Sequence, residues 1–468
     1  VEDNTITGNT AAGDGGGAYL WSSSSGNAQS NITFQRNSIT GNALAGPPTD
    51  PNIVSSHGGG VSAWTSTGVF ATAGIVISQN TIEGNSADYG AAYYAYGGGV
   101  FAQTYGFGSD SITIADNLIN NNTVDGDGAG VSAWMFGDSG VAQSHSMTLT
   151  SNTITSNAAT DNSGGLDLFV SAADLRVGTN LSLSAERNVM RLNSAVASGG
   201  GGAVLMYLDD NDNDNNPATT TRVTAELSNN LFAENSTDGF GGGLDLFLVG
   251  FTDTEGTVDL EFNTIADNTA VTGAGGVSLS TGTGASADET GSVTFRIENS
   301  IISENGGYGI ALFSDDGEGV LDLDGIEYNL VFGHAPDDYD TAVSTLADIA
   351  NSTNITADPL LDAQWIPDVC SPAIDGADPA ADFSSEPEPN GNRANLGWLG
   401  GGVNATTILP DTNGDGAIDG LDILELATAF ASSLGEPRYS PQADIDLNNA
   451  VEGADLSLIG ARFGTVCP

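Results

Sequence analysis

Apolar residues along residues 4–329 recur at a fixed place between pairs of asparagines. The pattern Asn-x-apolar-x-x-Asn returns at Asn4/Asn9, Asn37/Asn42, Asn80/Asn85, Asn117/Asn122, Asn152/Asn157, Asn188/Asn193, Asn230/Asn235 and Asn263/Asn268. Weaker copies begin at Asn299 and Asn329. The interval averages about 36 residues, and a period between about 20 and 50 residues indicates a solenoid or a propeller.

Each repeat also carries the pattern of short strands. Most copies continue into a glycine cluster and an alternating segment such as Gly58–Trp64, and a second alternation such as Ile112–Ile114 precedes the next asparagine pair. Short β-branched runs bounded by Gly and Asn predict strands joined by tight turns. We therefore predict an all-β solenoid with three strands per coil, a right-handed parallel β-helix of about ten coils. A β-propeller is the alternative, but its blades need four strands, and the asparagine segment is too short to supply them.

Alternation within the glycine segment separates an inner from an outer face. Val61 and Ala63 are predicted to point inward, with the next residue pointing outward. The outward column then contains Trp21, Trp64, Gln103, Trp134, Phe169, Met206, Phe247, Ser280 and Phe313. These rings either bind a ligand, such as a polysaccharide or a neighbouring rod, or pack beneath the long loops that follow this segment. Asp167 and Asp245 fall in the adjacent outward column, where we expect solvated acids.

The periodicity fades after Asn329, and the chain divides into three predicted regions. Residues 1–356 form the β-helix repeats, residues 357–407 form a C-terminal cap with a linker, and residues 408–468 form a small α-helical domain. The cap is expected to cover the edge of the last coil, because open N–H and C=O groups invite pairing with other chains. No comparable segment precedes the first repeat, so we expect missing residues or another molecule to cover that end.

The C-terminal region contains two acidic loops of the same design. Their oxygens at loop positions 1, 3, 5, 9 and 12, with a backbone carbonyl at position 7, give the all-oxygen coordination that Ca²⁺ prefers. The predicted ligands are Asp411, Asn413, Asp415, Ala417, Asp419 and Asp422 in the first loop, and Asp444, Asp446, Asn448, Ala450, Glu452 and Asp455 in the second. Each loop runs into a short apolar helix, predicted over residues 421–430 and 456–463, and the two helices are expected to pack together.

The duplicated loop and helix resembles a type I dockerin domain over about residues 408–463. The resemblance implies Ca²⁺ as the cofactor and a cohesin-like protein as the partner. Asn449 stands where the sharp turn of the second loop usually has Gly, which predicts a weaker second site. Gly420-Leu421 and Gly453-Ala454 stand where dockerins that bind cohesin commonly carry Ser/Thr pairs. These small apolar pairs favour packing on protein, either on a cohesin-like partner or on a neighbouring copy, and a head-to-tail contact between copies builds a filament.

The repeats themselves resemble the polymorphic outer-membrane protein and right-handed β-helix families, in which Gly-Gly-apolar and Asn-rich turns alternate. This resemblance covers most of residues 1–330 and implies a fold but no single activity. The same solenoid supports lyases, hydrolases, adhesins and passive stalks.

The two cysteines lie in different predicted regions. Cys370 is in the cap and Cys467 is at the chain end. We predict a disulfide between them, which attaches the dockerin-like domain to the rod; the alternative is two unpaired thiols. By the chain-entropy estimate, closing a loop of this length contributes roughly 4 to 5 kcal/mol.

The charge of the chain restricts its partners. Its 9 basic residues, all Arg, and 60 acidic residues give a formal net charge of -51. Such a surface repels nucleic acid and anionic lipid and attracts divalent cations. No run of 18 apolar residues exists, so no membrane span is predicted. With the calcium loops and the repeats, the acidic surface favours a secreted protein at or outside the cell surface.

Other candidate sites are weaker. Asp210, Asp212 and Asp214 either bind a third Ca²⁺ or form a solvated acidic loop. The 3 histidines fall at unrelated points of the repeat, which disfavours zinc or a His-centred triad. The chain has no Lys to act as a lyase base, and Asp167 has no carboxylate partner that the sequence identifies. The sequence therefore favours a surface, adhesive or assembly protein without catalytic residues, with a polysaccharide-active enzyme as the alternative.

Overall fold

A computed structural model describes residues 1–45, 55–88, 94–137, 144–173, 180–209, 221–250, 254–283, 292–314, 320–322, 325–340, 353–387, 390–407 and 409–467. Its strands stack in parallel ladders, one coil above the next, so the chain is an all-β parallel β-helix followed by two short helices. The fold class predicted from the repeat is therefore confirmed, and the propeller alternative is wrong.

The first ladder, here called the motif sheet, is built from the asparagine motifs. Each strand is three residues long, and most of them lie between the two asparagines of a motif. The strands are Thr5–Thr7, Ser38–Thr40, Thr81–Glu83, Leu118–Asn120, Thr153–Thr155, Val189–Arg191, Leu231–Ala233, Thr264–Ala266, Ile301–Ser303 and Leu330–Phe332. These ten rungs agree with the predicted number of coils.

The second ladder, here called the glycine sheet, follows the glycine clusters. Its long strands are Ala18–Ser24, Val61–Thr67, Val100–Gly106, Val131–Gly137, Leu166–Ala173, Gly202–Asp209, Leu244–Gly250, Thr269–Thr283 and Gly306–Ser314. Short strands joined to them through Thr269–Thr283 are Thr10–Ala11, Ala43–Ala45, Ser86–Asp88, Thr123–Val124, Ala158–Ala159, Ser194–Ala195 and Ser236–Thr237. Just before the glycines, Ser55–His57, Tyr94–Tyr96 and Gly126–Asp127 form a separate three-stranded ladder.

The third ladder, here called the return sheet, leads back to the next asparagine motif. Its strands are Gln29–Gln35, Thr72–Ser78, Ser109–Ala115, Ser144–Thr150, Asn180–Glu186, Thr221–Ser228, Thr254–Glu261, Ser292–Glu298, Val320–Asp322 and Ile326–Glu327. Inward residues of all three sheets form one continuous core in which nearly every side chain is fully buried. Period-2 alternation, read from the sequence, is thus the physical origin of this core.

Two continuous asparagine ladders run through the coils at the ends of the motif strands. Asn80 is typical: its N–H and Nδ2 donate to Asn117 Oδ1 at 2.9 and 3.0 Å, and Nδ2 also donates to the Phe34 carbonyl at 3.0 Å. The asparagine side chains therefore stack from coil to coil. Because these side chains are buried, each rung satisfies polar groups that would otherwise lose water without compensation.

One rung differs from the sequence prediction. In the coil near residue 300 the ladder passes through Ser300, whose Oγ accepts from the Asn263 N–H at 3.0 Å, and not through Asn299. Asn299 has φ 56°, and the residues at the matching positions, Arg36 and Arg187, have φ 54° and 55°. The residue before each rung therefore adopts a left-handed turn, which Asn tolerates well and which explains why the motif is offset by one residue here.

The segment after the repeats extends the rod and covers its side. Ile355 adds one more rung, since its N–H donates to the Asn329 carbonyl at 2.7 Å. Trp365 then packs on the outer surface of the motif sheet, and the Trp398 N–H donates to Thr264 Oγ1 at 3.1 Å. The predicted cap thus packs along the lateral face of several coils as well as continuing the last one.

The C-terminal region contains helices α1 (Gly420–Ala429) and α2 (Gly453–Arg462) and a small antiparallel pair, Ser432–Ser433 with Ala450–Val451. Helix α1 begins at the first acidic loop because Asp419 and Asp422 form a capping box, and at the start of α2 the Glu452 N–H donates to Asp455 Oδ2 at 2.7 Å. A separate small core, which includes Ile418, joins the two halves.

Candidate metal centre and aromatic face

The first acidic loop folds around its end residues. Asp411 Oδ2 accepts from the Gly416 N–H at 2.7 Å, and Asp411 Oδ1 accepts from the Gly414 N–H at 2.7 Å. The buried Asp422 accepts from the Thr412 N–H at 2.8 Å through Oδ1. Loop positions 1 and 12 are thereby fixed by backbone donors, and both oxygens of Asp411 are engaged.

The remaining residues of the first loop lie nearer to solvent. Asp415 Oδ2 accepts from Asn413 Nδ2 at 3.0 Å, and Asp419 Oδ1 accepts from the Leu421 N–H at 2.7 Å as the N-cap of α1. The Ala417 N–H donates to Asp415 Oδ1 at 3.0 Å. The predicted ligand residues are all in one loop, but they bond to each other and to the backbone.

The second acidic loop brings its carboxylates closer together. Asp444, Asp446 and Asp455 place one oxygen each within 4.8 Å of one another, and no other such group of three occurs among the described residues. Burial, together with the charges of Asp455, Asp444 and Glu452, raises the pKa of Asp446. Three acids at this separation favour a cation between them.

Asp444 carries the clearest sign of a ligand. It is 1% exposed, and its Oδ2 accepts from the Asn449 N–H at 2.9 Å and from the Tyr439 hydroxyl at 2.5 Å. Its Oδ1 is buried and has no hydrogen-bond partner among the described residues. An unpartnered buried carboxylate oxygen is costly, and a hard divalent cation would remove that cost. The oxygen donors of this loop therefore fit Ca²⁺.

The other ligands predicted for the second loop lie around this group. Asn448 Nδ2 donates to Asp446 Oδ2 at 3.1 Å and approaches Glu452 Oε1 at 3.5 Å, while the Ala450 N–H donates to Asn448 Oδ1 at 2.8 Å. Asn449 has φ 69°, the left-handed turn that the sequence required of it. The relative strength of the two sites stays a prediction.

The chain end closes the first loop. The Gly464 N–H donates to the Ile418 carbonyl at 2.7 Å, and the Ile418 N–H donates to the Thr465 carbonyl at 2.8 Å. The Cys467 N–H donates to the Gly416 carbonyl at 2.7 Å. This tail, residues 464–467, therefore pairs with loop positions 6 to 8, next to the carbonyl predicted to bind Ca²⁺.

The predicted disulfide between Cys370 and Cys467 is confirmed, with Cα atoms 5.4 Å apart. It joins the tail directly to the cap of the rod. The second loop is closed in a similar way by residues 431–434, which pair with residues 449–451 but carry no covalent anchor.

The predicted outward ladder exists, with one correction. The column contains one outward residue from each successive strand, paired with the residue above and below it. These residues are Trp21, Trp64, Gln103, Trp134, Phe169, Leu205, Phe247, Ser280 and Phe313. Met206, assigned to this column from the sequence, is fully buried in the core, and Leu205 takes its place. The reason is that Gly202, the last of four glycines, occupies an inward strand position opposite Leu166 and Leu244, which shifts the count by one.

Around Trp134 the rings pack against each other and form what we call the aromatic face: His57, Trp64, Tyr96, Phe101, Trp134 and Phe169. Trp134 contacts Tyr96 and Phe101 edge-on, with ring centroids 4.5 and 5.2 Å apart. Phe101 is fully buried, whereas Trp21 at the end of the ladder is 61% exposed. Some rings of the ladder are therefore buried by neighbouring rings, and others are exposed. The loops predicted to cover the ladder lie mostly outside the described residues. The side chain of Phe313 lies outside them as well.

Two carboxylates lie within the aromatic face. Asp167 accepts from the Ser132 hydroxyl at 2.7 Å and from Trp134 Nε1 at 3.2 Å, and burial raises its pKa. Burial and then the charge of Asp167 raise the pKa of Asp127 to about 7. Asp167 is therefore not the solvated acid expected from the sequence, and Asp127 is the carboxylate neighbour that the sequence did not identify. Asp245 departs from the same expectation, because burial raises its pKa too.

The histidines have structural partners that the sequence did not reveal. His57 Nδ1 lies 2.9 Å from Asp14 Oδ1, and His334 Nε2 lies 3.1 Å from Asn305 Nδ2 at the end of an asparagine ladder. His145 is buried beside Asp110, with Nδ1 and Oδ2 3.9 Å apart. The three histidines lie in separate coils.

A second acidic surface lies on the outer side of the return sheet. Glu226, Asp259, Glu261 and Glu298 line a cavity of about 310 Å³ together with Arg296, whose Nη1 is 3.9 Å from Asp259 Oδ1. Burial, then the charge of Glu261, raises the pKa of Glu298. The predicted third calcium loop, with Asp210, Asp212 and Asp214, lies outside the described residues.

Comparison of the chain with models of known protein families, with curated proteins and with solved structures finds no match. Within the described residues, no helix is both long enough and apolar enough to cross a membrane. The functional argument therefore depends on the residues and contacts described above.

Proposed function

We propose that the chain is a secreted, calcium-stabilised β-helix protein that acts as a surface, adhesive or assembly module and carries a dockerin-like interaction domain. The observation that supports this most directly is the buried Oδ1 of Asp444, which has no hydrogen-bond partner among the described residues. Asp444 also belongs to a group of three carboxylates, with Asp446 and Asp455, whose oxygens lie within 4.8 Å of one another. The Cys370–Cys467 disulfide agrees with an oxidising, extracellular compartment.

Calcium binding is tested by titration calorimetry and by chelation. Because the loop carboxylates repel each other when no cation lies between them, EDTA should unfold residues 408–468, with loss of helical circular dichroism and of protease resistance, while the rod stays folded. Asp444→Asn with Asp455→Asn should abolish binding at the second loop. If EDTA changes neither helicity nor protease resistance, the calcium assignment is wrong.

The proposed partner is a protein that packs on the exposed apolar side chains of the C-terminal domain. Leu421, Leu424 and Phe463 are 53%, 61% and 55% exposed. Such exposure beside two calcium-dependent helices supports docking on a cohesin-like protein or on a neighbouring copy. Sedimentation with calcium should reveal polymers that disappear when residues 408–468 are deleted in a Cys370→Ser background. A monomer under both conditions would rule out the neighbouring copy and leave the cohesin-like partner.

A polysaccharide-active enzyme is the second candidate, and the cavity around Arg296 is the observation that favours it. It combines clustered acids with an Arg, as a lyase requires, but these acids do not converge on a metal position within the described residues. Release of reducing or unsaturated ends from polysaccharides, lost in Arg296→Ala and retained in the exposed control Arg222→Ala, would establish the enzyme.

A further inference from the structure

The outer surface of the glycine sheet presents rings at regular height along the rod. Trp21, Trp64, Gln103, Trp134 and Phe169 occupy successive rungs of one column. With about 4.8 Å between neighbouring strands, the column from Trp21 to Phe169 spans about 19 Å. That length accommodates several units of an extended chain lying along the rod axis.

Packing accounts for only part of this aromatic surface. Phe101 is fully buried and forms its floor, whereas Trp21, Tyr19 and Tyr94 are 61%, 51% and 57% exposed. Outward strand positions that face water usually carry polar residues, and exposed aromatic rings at such positions indicate an interaction site. The exposed rings therefore indicate a ligand with apolar surfaces of its own.

Polar groups among the rings are held in fixed positions. Asp167 is oriented by the Ser132 hydroxyl and Trp134 Nε1, and Asp127 Oδ1 accepts from the Asn162 N–H at 2.8 Å. A carboxylate has about four lone-pair sites, so each acid retains acceptor capacity after these bonds. The face thus combines flat apolar surfaces with preoriented hydrogen-bond acceptors.

We infer that this face binds an extended, neutral polysaccharide along the rod axis. The C–H faces of pyranose rings stack on the indoles, and sugar hydroxyls donate to Asp127 and Asp167. A chain with a net charge of -51 and no Lys repels anionic polysaccharides. This inference specifies the ligand of the proposed adhesive surface and rests on that part of the proposed function, but it does not depend on calcium.

The test is titration of the whole chain with cellohexaose, xylohexaose and mannohexaose, and with hexagalacturonate as the anionic control. Three of the 5 tryptophans, Trp21, Trp64 and Trp134, lie on this column, so intrinsic fluorescence should change with calorimetric binding. At least one neutral hexasaccharide should bind equally well in calcium and in EDTA, and hexagalacturonate should not. Failure of all three neutral sugars overturns the inference without affecting the calcium proposal.

Variants connect the binding to this face. Trp21→Ala and Trp64→Ala should weaken binding on the order of tenfold, equivalent to about 1.4 kcal/mol. Phe70→Ala is the matched control, because Phe70 is an aromatic residue 66% exposed at a turn outside the column. Thermal unfolding identifies any variant that has lost its fold. If folded Trp21→Ala and Trp64→Ala proteins bind like Phe70→Ala and the parent chain, the site is elsewhere and the inference is wrong.

Discussion

Breaking the Cys370–Cys467 disulfide should weaken calcium binding at the first loop and leave the second loop unchanged. The tail that pairs with the first loop is anchored to the rod through Cys467, while the equivalent segment of the second loop has chain on both sides and no disulfide. The perturbation is the pair of single variants Cys467→Ser and Cys370→Ser, which remove the same bond from either side.

The magnitude follows from the tail itself. Three backbone hydrogen bonds hold residues 464–467 on the loop, each worth about 1 kcal/mol net. Ordering each residue of a free chain end costs about 1 to 2 kcal/mol, so without the anchor the tail should detach for much of the time. The disulfide joins two cysteines that are 97 residues apart, so the conformational entropy of the tail is already reduced before it pairs with the loop. Losing even about 1.4 kcal/mol of preorganisation weakens calcium affinity about tenfold.

Titration calorimetry of the oxidised parent and of both variants measures the two affinities separately. Asp444→Asn with Asp455→Asn in each background assigns the remaining signal to the first loop. Both cysteine variants should lose affinity at that loop to the same extent. Equal first-loop affinities in parent and variants would refute the reasoning, because the tail would then hold its place without the bond.

Three further predictions follow from single side chains. Tyr439→Phe removes the hydroxyl that orients Asp444 and should weaken second-loop calcium binding about tenfold by calorimetry, whereas an unchanged affinity would exclude this role. Asn122→Ala removes the acceptor shared by the Asn85 N–H and one Nδ2 hydrogen, while Asn85 Nδ2 keeps its bond to the Ile39 carbonyl. The substitution should lower the free energy of unfolding by about 3 kcal/mol in urea, with the exposed Thr123→Ala as a near-neutral control. Burial raises the pKa of Asp110 to about 7, so the contribution of this carboxyl to stability falls as the pH rises from about 4 through 7. Over that range the carboxyl ionises freely only in the unfolded chain. Asp110→Asn should remove this loss and stabilise the rod at pH 8 by up to about 4 kcal/mol relative to the parent; equal unfolding free energies at that pH would contradict the burial argument.

The sequence predicts the solenoid well because the asparagine motif is both a pattern and an interaction. The asparagines that recur in the sequence, such as Asn80 and Asn117, are hydrogen-bonded to each other in the structure. The spacing between them therefore gives the number of residues in one coil. The disulfide was predictable for a different reason, since only two cysteines occur, one in the predicted cap and one in the C-terminal region.

Other features depend on three-dimensional register that the sequence leaves open. Asp127 lies near Asp167 because the three-stranded ladder that contains His57, Tyr96 and Asp127 folds beside the glycine sheet. The segments before these strands differ in length between coils, so the sequence does not reveal which of their residues lie side by side. Met206 was assigned to the outward column in place of Leu205 because Gly202, the last glycine of a run of four, is itself a strand residue. Counting from a glycine cluster therefore fails where the cluster extends into the strand.

The asparagine ladders determine how this rod tolerates insertions. Successive ladder partners are separated by as few as 25 residues, at Asn329 and Asn354, and by as many as 43, at Asn37 and Asn80. In both rungs the backbone N–H of the first asparagine donates to Oδ1 of the next, at 2.9 and 2.8 Å, so this bond keeps successive coils aligned across segments of different length. Foreign peptides inserted between two rungs should therefore leave the neighbouring coils in phase, which makes the rod a scaffold on which unrelated segments can be displayed at regular height.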